Sequence, residues 1–288
     1  MPPGHWLLLL LANLLFGFNL TASKFGMLHM PPLLFTGLRF VLLSLVLWPL
    51  LRVPRDQLPT VIAIALCMGG VHFGFMYVGL AFADDISTVA IAAQLAVPFA
   101  ALLGVMALGE RIGWRRVTGM LLAFGGVAWL GFDPRVLGYL PALGLVVVGA
   151  LGAAVGITLM KRLRGVSPLA LQAWVGVVGA PALLAMSWWL ESGQVHALVN
   201  APALVWGAIA FSALGASLVA HGSLYWLLQR HDVSFISPLT LLTTVFAAGF
   251  GVWLMGDVLT SRMLLSGGVT LAGVAIIAVR SGATTGKT

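Results

Sequence analysis

The chain has 288 residues, of which 60% are hydrophobic and only 8% are charged, against about 25% charged residues in a typical soluble domain. Such a composition cannot supply a polar surface, which excludes a water-soluble protein. The formal charge of +7 comes from 15 Lys and Arg that are spread between apolar segments, so we expect them to set membrane topology and expect no nucleic-acid partner.

Ten apolar runs follow one another along the chain, each about the length of a membrane-spanning helix. They cover about 5–28, 32–51, 58–82, 86–108, 112–131, 139–160, 169–190, 202–228, 234–255 and 262–280. Backbone exposed to lipid must satisfy its own hydrogen bonds, and the alternation of barrel strands is absent. The sequence therefore predicts an all-α integral membrane protein of ten transmembrane helices without a separate soluble domain.

The positions of Lys and Arg predict the orientation of these helices. With the N-terminus inside, the inner loops and tail hold Arg52, Arg55, Arg111, Arg115, Arg116, Lys161, Arg162, Arg164, Arg230, Arg280 and Lys287. The outer loops hold only Arg135 and Arg262. Because positive residues accumulate on the cytoplasmic side, both termini of this multi-pass membrane protein are expected to be cytoplasmic.

Aromatic residues near the predicted helix ends are expected to form interfacial belts, since amphipathic rings favour that region. These residues are Trp6, Trp48, Trp114, Trp129, Tyr139, Trp188, Trp189 and Trp253.

The second half of the chain repeats the first half at an offset of 147 residues. The offset pairs Asp85 with Asp232, Ser87 with Ser234, the run 99–101 with 246–248, Gly109-Glu110 with Gly256-Asp257, Arg115 with Arg262, and 126–128 with 273–275. Matched charges and glycines at one ungapped offset indicate a true duplication. We expect two five-helix units, residues 1–135 and 136–288.

An odd number of helices in each unit makes the second unit cross the membrane in the opposite sense to the first. Such inverted repeats are typical of transporters, because two units related by an axis in the membrane plane can expose one central site to each side in turn. The symmetry therefore predicts transport by alternating access.

The segment from Tyr77 to Leu130 resembles the end of the EamA repeat of the drug/metabolite transporter superfamily. It contains Pro98, the triplet Gly109-Glu110-Arg111, and two later glycines where that family has them. The second copy departs from the pattern, with Gly256-Asp257 for Gly-Glu and Val245 in place of the proline. Within the superfamily the chain is most similar to bacterial amino-acid exporters of the YddG type. This resemblance implies efflux of aromatic and other neutral amino acids and a location in a bacterial inner membrane.

Polar side chains within the predicted helices are candidates for substrate binding, because they are costly in a bilayer. The candidates are Asn19, Lys24, His72, Tyr77, Gln94, Trp174, His221 and Tyr225. The alternatives are hydrogen bonds between packed helices, interfacial snorkelling for Lys24 and an interfacial belt position for Trp174. Pro98 and Pro238 are candidate hinges, since proline removes a backbone hydrogen bond, although such kinks also occur passively.

All acidic residues lie in or beside loops, and no predicted span has a carboxylate near its centre. A proton-coupled exporter of organic cations usually needs such a group. The sequence therefore favours neutral or zwitterionic solutes and facilitated diffusion by a uniporter. Proton-coupled efflux of drugs or metabolites stays open as an alternative, because the histidines titrate near physiological pH.

An enzyme is the remote alternative. Gly215-Ala216-Ser217 with His221 lacks the second glycine of a nucleophile elbow, and there is no HExxH zinc motif. We expect no catalytic residues, no metal and no cofactor. The expected partners are a small-molecule substrate and the lipid bilayer, and a monomer is compatible with the sequence.

Overall fold

The computed structural model of the chain describes residues 2–108, 113–228, 230 and 239–279. Within these residues the chain is helical and contains no strand. We number the long helical segments α1 Pro3–Met27, α2 Pro32–Leu47, α3 Leu58–Phe82, α4 Ile86–Ala107, α5 Trp114–Leu130, α6 Leu140–Met160, α7 Pro168–Leu190, α8 Ala203–Leu224, α9 Leu242–Met255 and α10 Ser261–Val279. Shorter helices cover Trp48–Leu50, Pro134–Leu137 and Gln194–Asn200.

These helices match the predicted segments closely, and the all-α membrane fold is confirmed. In the described part of the chain, seven helices are long and apolar enough to cross a membrane, and α5, α9 and α10 contain shorter apolar helices. The start of the ninth predicted segment, at residue 234, lies outside the described residues. The count of ten spans and the cytoplasmic placement of both termini stay predictions.

The surface is apolar, as a lipid-facing surface requires. Large hydrophobic side chains are exposed along most helices, and the tryptophans at 48, 114, 188, 189 and 253 are more than two-thirds exposed. Tyr139 was predicted to join this belt, which is wrong: its ring is buried and its hydroxyl donates to Asp85. The ring is buried because its hydroxyl bonds to a carboxylate at the end of a neighbouring helix. The sequence alone does not show that these two groups are close in space.

The helices pack as two interlocked copies. α2 lies against α7 and α5 against α10, so each of these helices meets its own counterpart. α1 packs on α8 and α9 of the second copy, and α6 packs on α3 and α4 of the first. The predicted two-repeat fold is therefore confirmed, while the boundary between residues 135 and 136 stays a prediction.

The contact between α5 and α10 has the predicted symmetry residue by residue. A Cβ on Gly126 would meet Thr270 and Ser266, and a Cβ on Gly273 would meet Ala123 and Gly119. Residues 273, 270 and 266 of the second copy are residues 126, 123 and 119 of the first copy shifted by 147 positions. Small residues at these positions let the two helix backbones approach closely, as in other membrane helix pairs.

Candidate functional site

A cavity of about 280 Å³ lies between the two copies, among α1, α2, α3, α4, α8 and the start of α9. Apolar and aromatic side chains form much of its wall. The polar side chains of its wall are Asn19, Arg39, His72, Tyr77, Gln94, His221, Thr243 and Thr244. A concave, mostly apolar space with a few converging polar groups is the usual form of a small-molecule site.

Five of the eight candidate substrate-binding residues line this cavity: Asn19, His72, Tyr77, Gln94 and His221. Lys24 and Trp174 are not part of its wall. The side chain of Tyr225 and the whole of Pro238 lie outside the described residues. The binding role of all eight stays a prediction.

The hydroxyl of Tyr77 is the centre of a buried hydrogen-bond network. Arg39 Nη1 donates to it from α2, and Asn19 Nδ2 lies 3.0 Å from it on α1. Ser23 Oγ, one turn further along α1, lies 3.3 Å from the same oxygen. The network joins three helices of the first copy at the cavity wall, where buried polar groups require partners.

Arg39 is a wall residue that the candidate list did not include. It lies in the middle of α2, is 1% exposed, and its Nη2 donates to Ser217 Oγ of α8 at 2.8 Å. The signal available in the sequence was a lone arginine inside an apolar helix, where a charge is costly. Its partners in the described residues are hydroxyls and aromatic rings and include no carboxylate.

The two cavity histidines occupy matching places in the two copies. Segments of wider π-type turns cover Leu66–His72 in α3 and Phe211–Ala220 in α8, so His72 ends one and His221 follows the other. Such local π turns occur frequently at functional sites. His72 Nδ1 lies 2.9 Å from the carbonyl oxygen of Gly149, and His221 Nδ1 lies 2.9 Å from that of Ala216. A carbonyl only accepts, so Nδ1 carries a proton in both rings.

Gln94 links the two copies at the cavity, because its Nε2 donates to Thr244 Oγ1 of α9 at 2.6 Å. The α-helical part of α4 ends at Ala93 and resumes at Ala96. Pro98 has no N–H for the carbonyl of Gln94, which accepts from Val97 instead at 3.1 Å. Pro98 thus explains the interruption of α4 beside the cavity, and its role as a hinge stays a prediction.

The other polar residues of α1 serve helix packing. Asn13 Oδ1 accepts from the backbone N–H and the hydroxyl of Thr243 at the start of α9, at 3.1 and 2.8 Å. A Cβ on Gly17 would lie 2.6 Å from Phe246 Cβ, so the glycine allows close approach of α1 and α9. Asn13 and Gly17, one turn apart on α1, therefore face the second copy.

Lys24 lies at the end of the bundle that the topology predicts to face outside, hereafter the outer end. Its Nζ donates to the carbonyl oxygens of Leu80, Ala81 and Ala83, the first of these at 2.8 Å. Cations are favourable at helix C-termini, where carbonyls lack partners within the helix. These contacts favour a structural role at the end of α3 over a substrate contact. Trp174 similarly donates from Nε1 to the carbonyl oxygen of Leu51, at 3.2 Å.

Carboxylates connect the two copies at the outer end. Asp257, which follows α9, accepts from the backbone N–H of Ile86 at the start of α4, at 2.7 Å. Asp85 caps α4 through the N–H of Thr88 at 2.6 Å and also accepts from the Tyr139 hydroxyl. Burial, followed by the hydrogen bond to Asp85, raises the pKa of Tyr139, so its hydroxyl stays protonated and donates.

Asp257 provides a test of this outer contact by pH. Burial raises the pKa of its carboxyl above the ordinary value of 3.8, although the N–H of Ile86 favours the charged form. Because the folded pKa is the higher one, the contribution of Asp257 to stability is present at low pH and declines as pH rises through the folded pKa. Asp257→Asn does not titrate, so the melting temperature of the wild type minus that of the variant should fall above about pH 4.

Thermal melts of both proteins in detergent across about pH 4–8 measure this difference. A difference that stays constant or increases with pH contradicts the assignment.

Comparison with known proteins follows the same two-copy division. A family model described as the EamA-like transporter family matches residues 5–132 and 140–279. A "Probable amino-acid metabolite efflux pump" of Escherichia coli strain K12 is 24% identical over 277 residues, covering 93% of each chain. An "Uncharacterized transporter" of Archaeoglobus fulgidus is 24% identical over 277 residues, covering 94% of this chain and 98% of its own. A solved crystal structure with 19% identity superposes over the whole of both chains with a TM-score of 0.66, which shows a shared fold.

Proposed function

The chain belongs to the EamA-like transporter family, and on that premise we propose that it exports small neutral or zwitterionic metabolites, foremost aromatic and other neutral amino acids. One observation carries the proposal: both copies contribute polar side chains to a single cavity. A site shared by two inverted copies is the arrangement that alternating access requires. The printed name of the Escherichia coli relative, an amino-acid metabolite efflux pump, supports the substrate class. A bacterial inner membrane is the proposed location.

Uptake into proteoliposomes is the direct test. Purified protein is reconstituted, and labelled phenylalanine, methionine or threonine is added outside the proteoliposomes, with empty liposomes and unlabelled competitors as controls. Saturable, protein-dependent uptake supports the proposal, whereas absence of uptake of every amino acid by folded protein contradicts the substrate class. A protein that is an enzyme or a scaffold and not a transporter would give no more solute flux than empty liposomes.

Proton coupling is the second candidate mechanism, because His72 and His221 are both in the cavity wall. A uniporter equilibrates its solute and does not respond to a proton gradient imposed without a solute gradient. Accumulation of labelled amino acid above equilibrium under a proton gradient alone would contradict facilitated diffusion and favour coupling through the histidines.

Replacement of cavity amides and imidazoles is expected to reduce flux. Gln94→Leu removes the donor to Thr244 and His221→Leu removes the imidazole in contact with Phe16, so both change the wall without a large change of volume. We expect initial uptake rates to decrease by about 10-fold, the effect of losing one or two hydrogen bonds to a bound solute. The control is Leu121→Ala, at a position 69% exposed on α5. Equal rates for cavity and control variants, per amount of folded protein, would contradict the site.

A further inference from the structure

Arg39 is a buried cation to which the described part of the protein supplies no anion. Its side chain is 1% exposed, and its two hydrogen-bond acceptors are the neutral hydroxyls of Tyr77 and Ser217. Its guanidinium carbon lies 4.7 Å from the centre of the Phe73 ring. A desolvated charge is costly unless it is paired, and aromatic faces compensate only part of that cost.

Arg39 and Asn19 also have buried hydrogen-bonding atoms without partners among the described residues. A guanidinium has five N–H donors, of which two have acceptors here, and Nε of Arg39 has no partner among the described residues. Oδ1 of Asn19 is buried and likewise without a partner in that part of the chain. Both residues line the cavity, so a bound solute is a candidate partner for these polar groups.

The orientation of the Asn19 amide bears on what that ligand is. Arg39 can only donate to the Tyr77 hydroxyl, so the Tyr77 proton goes either to Ser23 Oγ at 3.3 Å or to the amide oxygen of Asn19. With the amide turned over, Oδ1 of Asn19 accepts that proton and Nδ2 becomes a donor toward a ligand. Arg39 and Asn19 then form a group of N–H donors at the cavity wall, and such a group selects an anion.

We infer that Arg39 is the carboxylate-binding residue of the transport cavity, with Asn19 as a second donor to the same group. The planar guanidinium matches a carboxylate in bidentate geometry and would receive the counter-charge that it lacks. In its neutral form His72 keeps its proton on Nδ1, which lies 2.9 Å from the Gly149 carbonyl oxygen, and Nε2 is then available to accept from an ammonium group. The inference rests on the proposed function and narrows its substrates to solutes with a free carboxylate, zwitterionic amino acids foremost.

The test compares ligands that differ only in the carboxylate. Purified full-length protein is screened by thermal shift and calorimetry with the twenty L-amino acids and with 3-phenylpropionate. Each compound that binds is then compared with its amide and with its decarboxylated amine, where these exist. We expect the amide and the amine to bind about 100-fold more weakly, the usual effect of losing a charge-assisted pair of hydrogen bonds.

Two variants and one control extend the test to the protein. Arg39→Gln should bind acid and amide equally weakly, and Arg55→Gln, which removes an exposed arginine, should bind as the wild type does. Asn19→Asp keeps the size of the side chain and supplies Arg39 with an internal carboxylate. It should therefore fold and bind the free acid about 100-fold more weakly, which keeps the inference testable if Arg39→Gln does not fold.

The outcomes separate this inference from the proposed function. If amides bind as well as acids, or if Asn19→Asp keeps full affinity, the inference is overturned while uptake of amino acids can still stand. If only 3-phenylpropionate binds, the carboxylate site is supported and amino-acid export is not. If none of the carboxylates binds folded protein, the inference is overturned, and proteoliposome uptake decides the proposed function independently.

Discussion

Replacing Gly273 by leucine should abolish folding, while the same replacement at Gly268, on the same helix, should be tolerated. A Cβ at Gly273 would lie 2.6 Å from both the backbone nitrogen of Ala123 and the carbonyl oxygen of Gly119, so α5 and α10 would have to separate. A Cβ at Gly268 meets no atom within 4 Å. Overpacking against backbone typically costs about 1–3 kcal/mol or more, a large part of the stability of a protein.

The measurement is the yield and melting temperature of monodisperse protein in mild detergent. The repeat supplies an independent pair: Gly126→Leu should fail and Gly125→Leu should fold, because a Cβ on Gly126 meets Thr270 whereas one on Gly125 meets nothing within 4 Å. Similar yields for the two members of each pair would contradict close packing of α5 and α10.

The fold was largely predictable because two strong constraints act on the sequence. Lipid requires long helices, so the runs that begin near Leu58 and Ile86 could be bounded within about two residues. The ungapped offset then indicated the duplication, and the backbone atoms nearest Gly126 and Gly273 follow it. Neither argument depends on side-chain conformation, which a sequence does not supply.

The cavity wall was predictable in part, for the same reason. Polar side chains are rare and costly inside membrane spans, and this cost predicts binding residues. Five of the residues predicted in this way line one cavity: Asn19, His72, Tyr77, Gln94 and His221. Burial cost does not indicate which neighbour a side chain meets. Lys24 reaches three carbonyls at the end of α3, a contact that depends on how α1 and α3 cross.

Some determinants of the site could not be predicted at all. The π-type turns that precede His72 and His221 have no sequence signature in apolar helices rich in glycine and alanine. The contact of Asp257 with the N–H of Ile86 joins residues 171 positions apart and arises only when both copies are assembled. Long-range polar contacts of this kind follow from tertiary packing and not from local pattern.

The second large effect is expected at Tyr77. Tyr77→Phe keeps the ring, which is 1% exposed, and removes the oxygen that contacts Arg39, Asn19 and Ser23. Each buried donor left without an acceptor costs about 1–3 kcal/mol, so the melting temperature should decrease. Initial uptake should fall by about 100-fold, since the guanidinium keeps only its bond to Ser217 and the amide of Asn19 loses its bond to Tyr77, so neither is held as firmly at the wall.

Uptake of a labelled neutral amino acid into proteoliposomes, normalised to folded protein, measures the effect of Tyr77→Phe on transport. The matched control is Ser44→Ala, which also removes one hydroxyl but one that donates only to the Phe40 carbonyl of its own helix, at 2.7 Å. Because that hydroxyl lies away from the cavity wall, the control should transport within about 2-fold of the wild type. Full transport by Tyr77→Phe would show that the hydroxyl does not organise the wall; loss of stability with full transport would restrict its role to holding α1, α2 and α3 together.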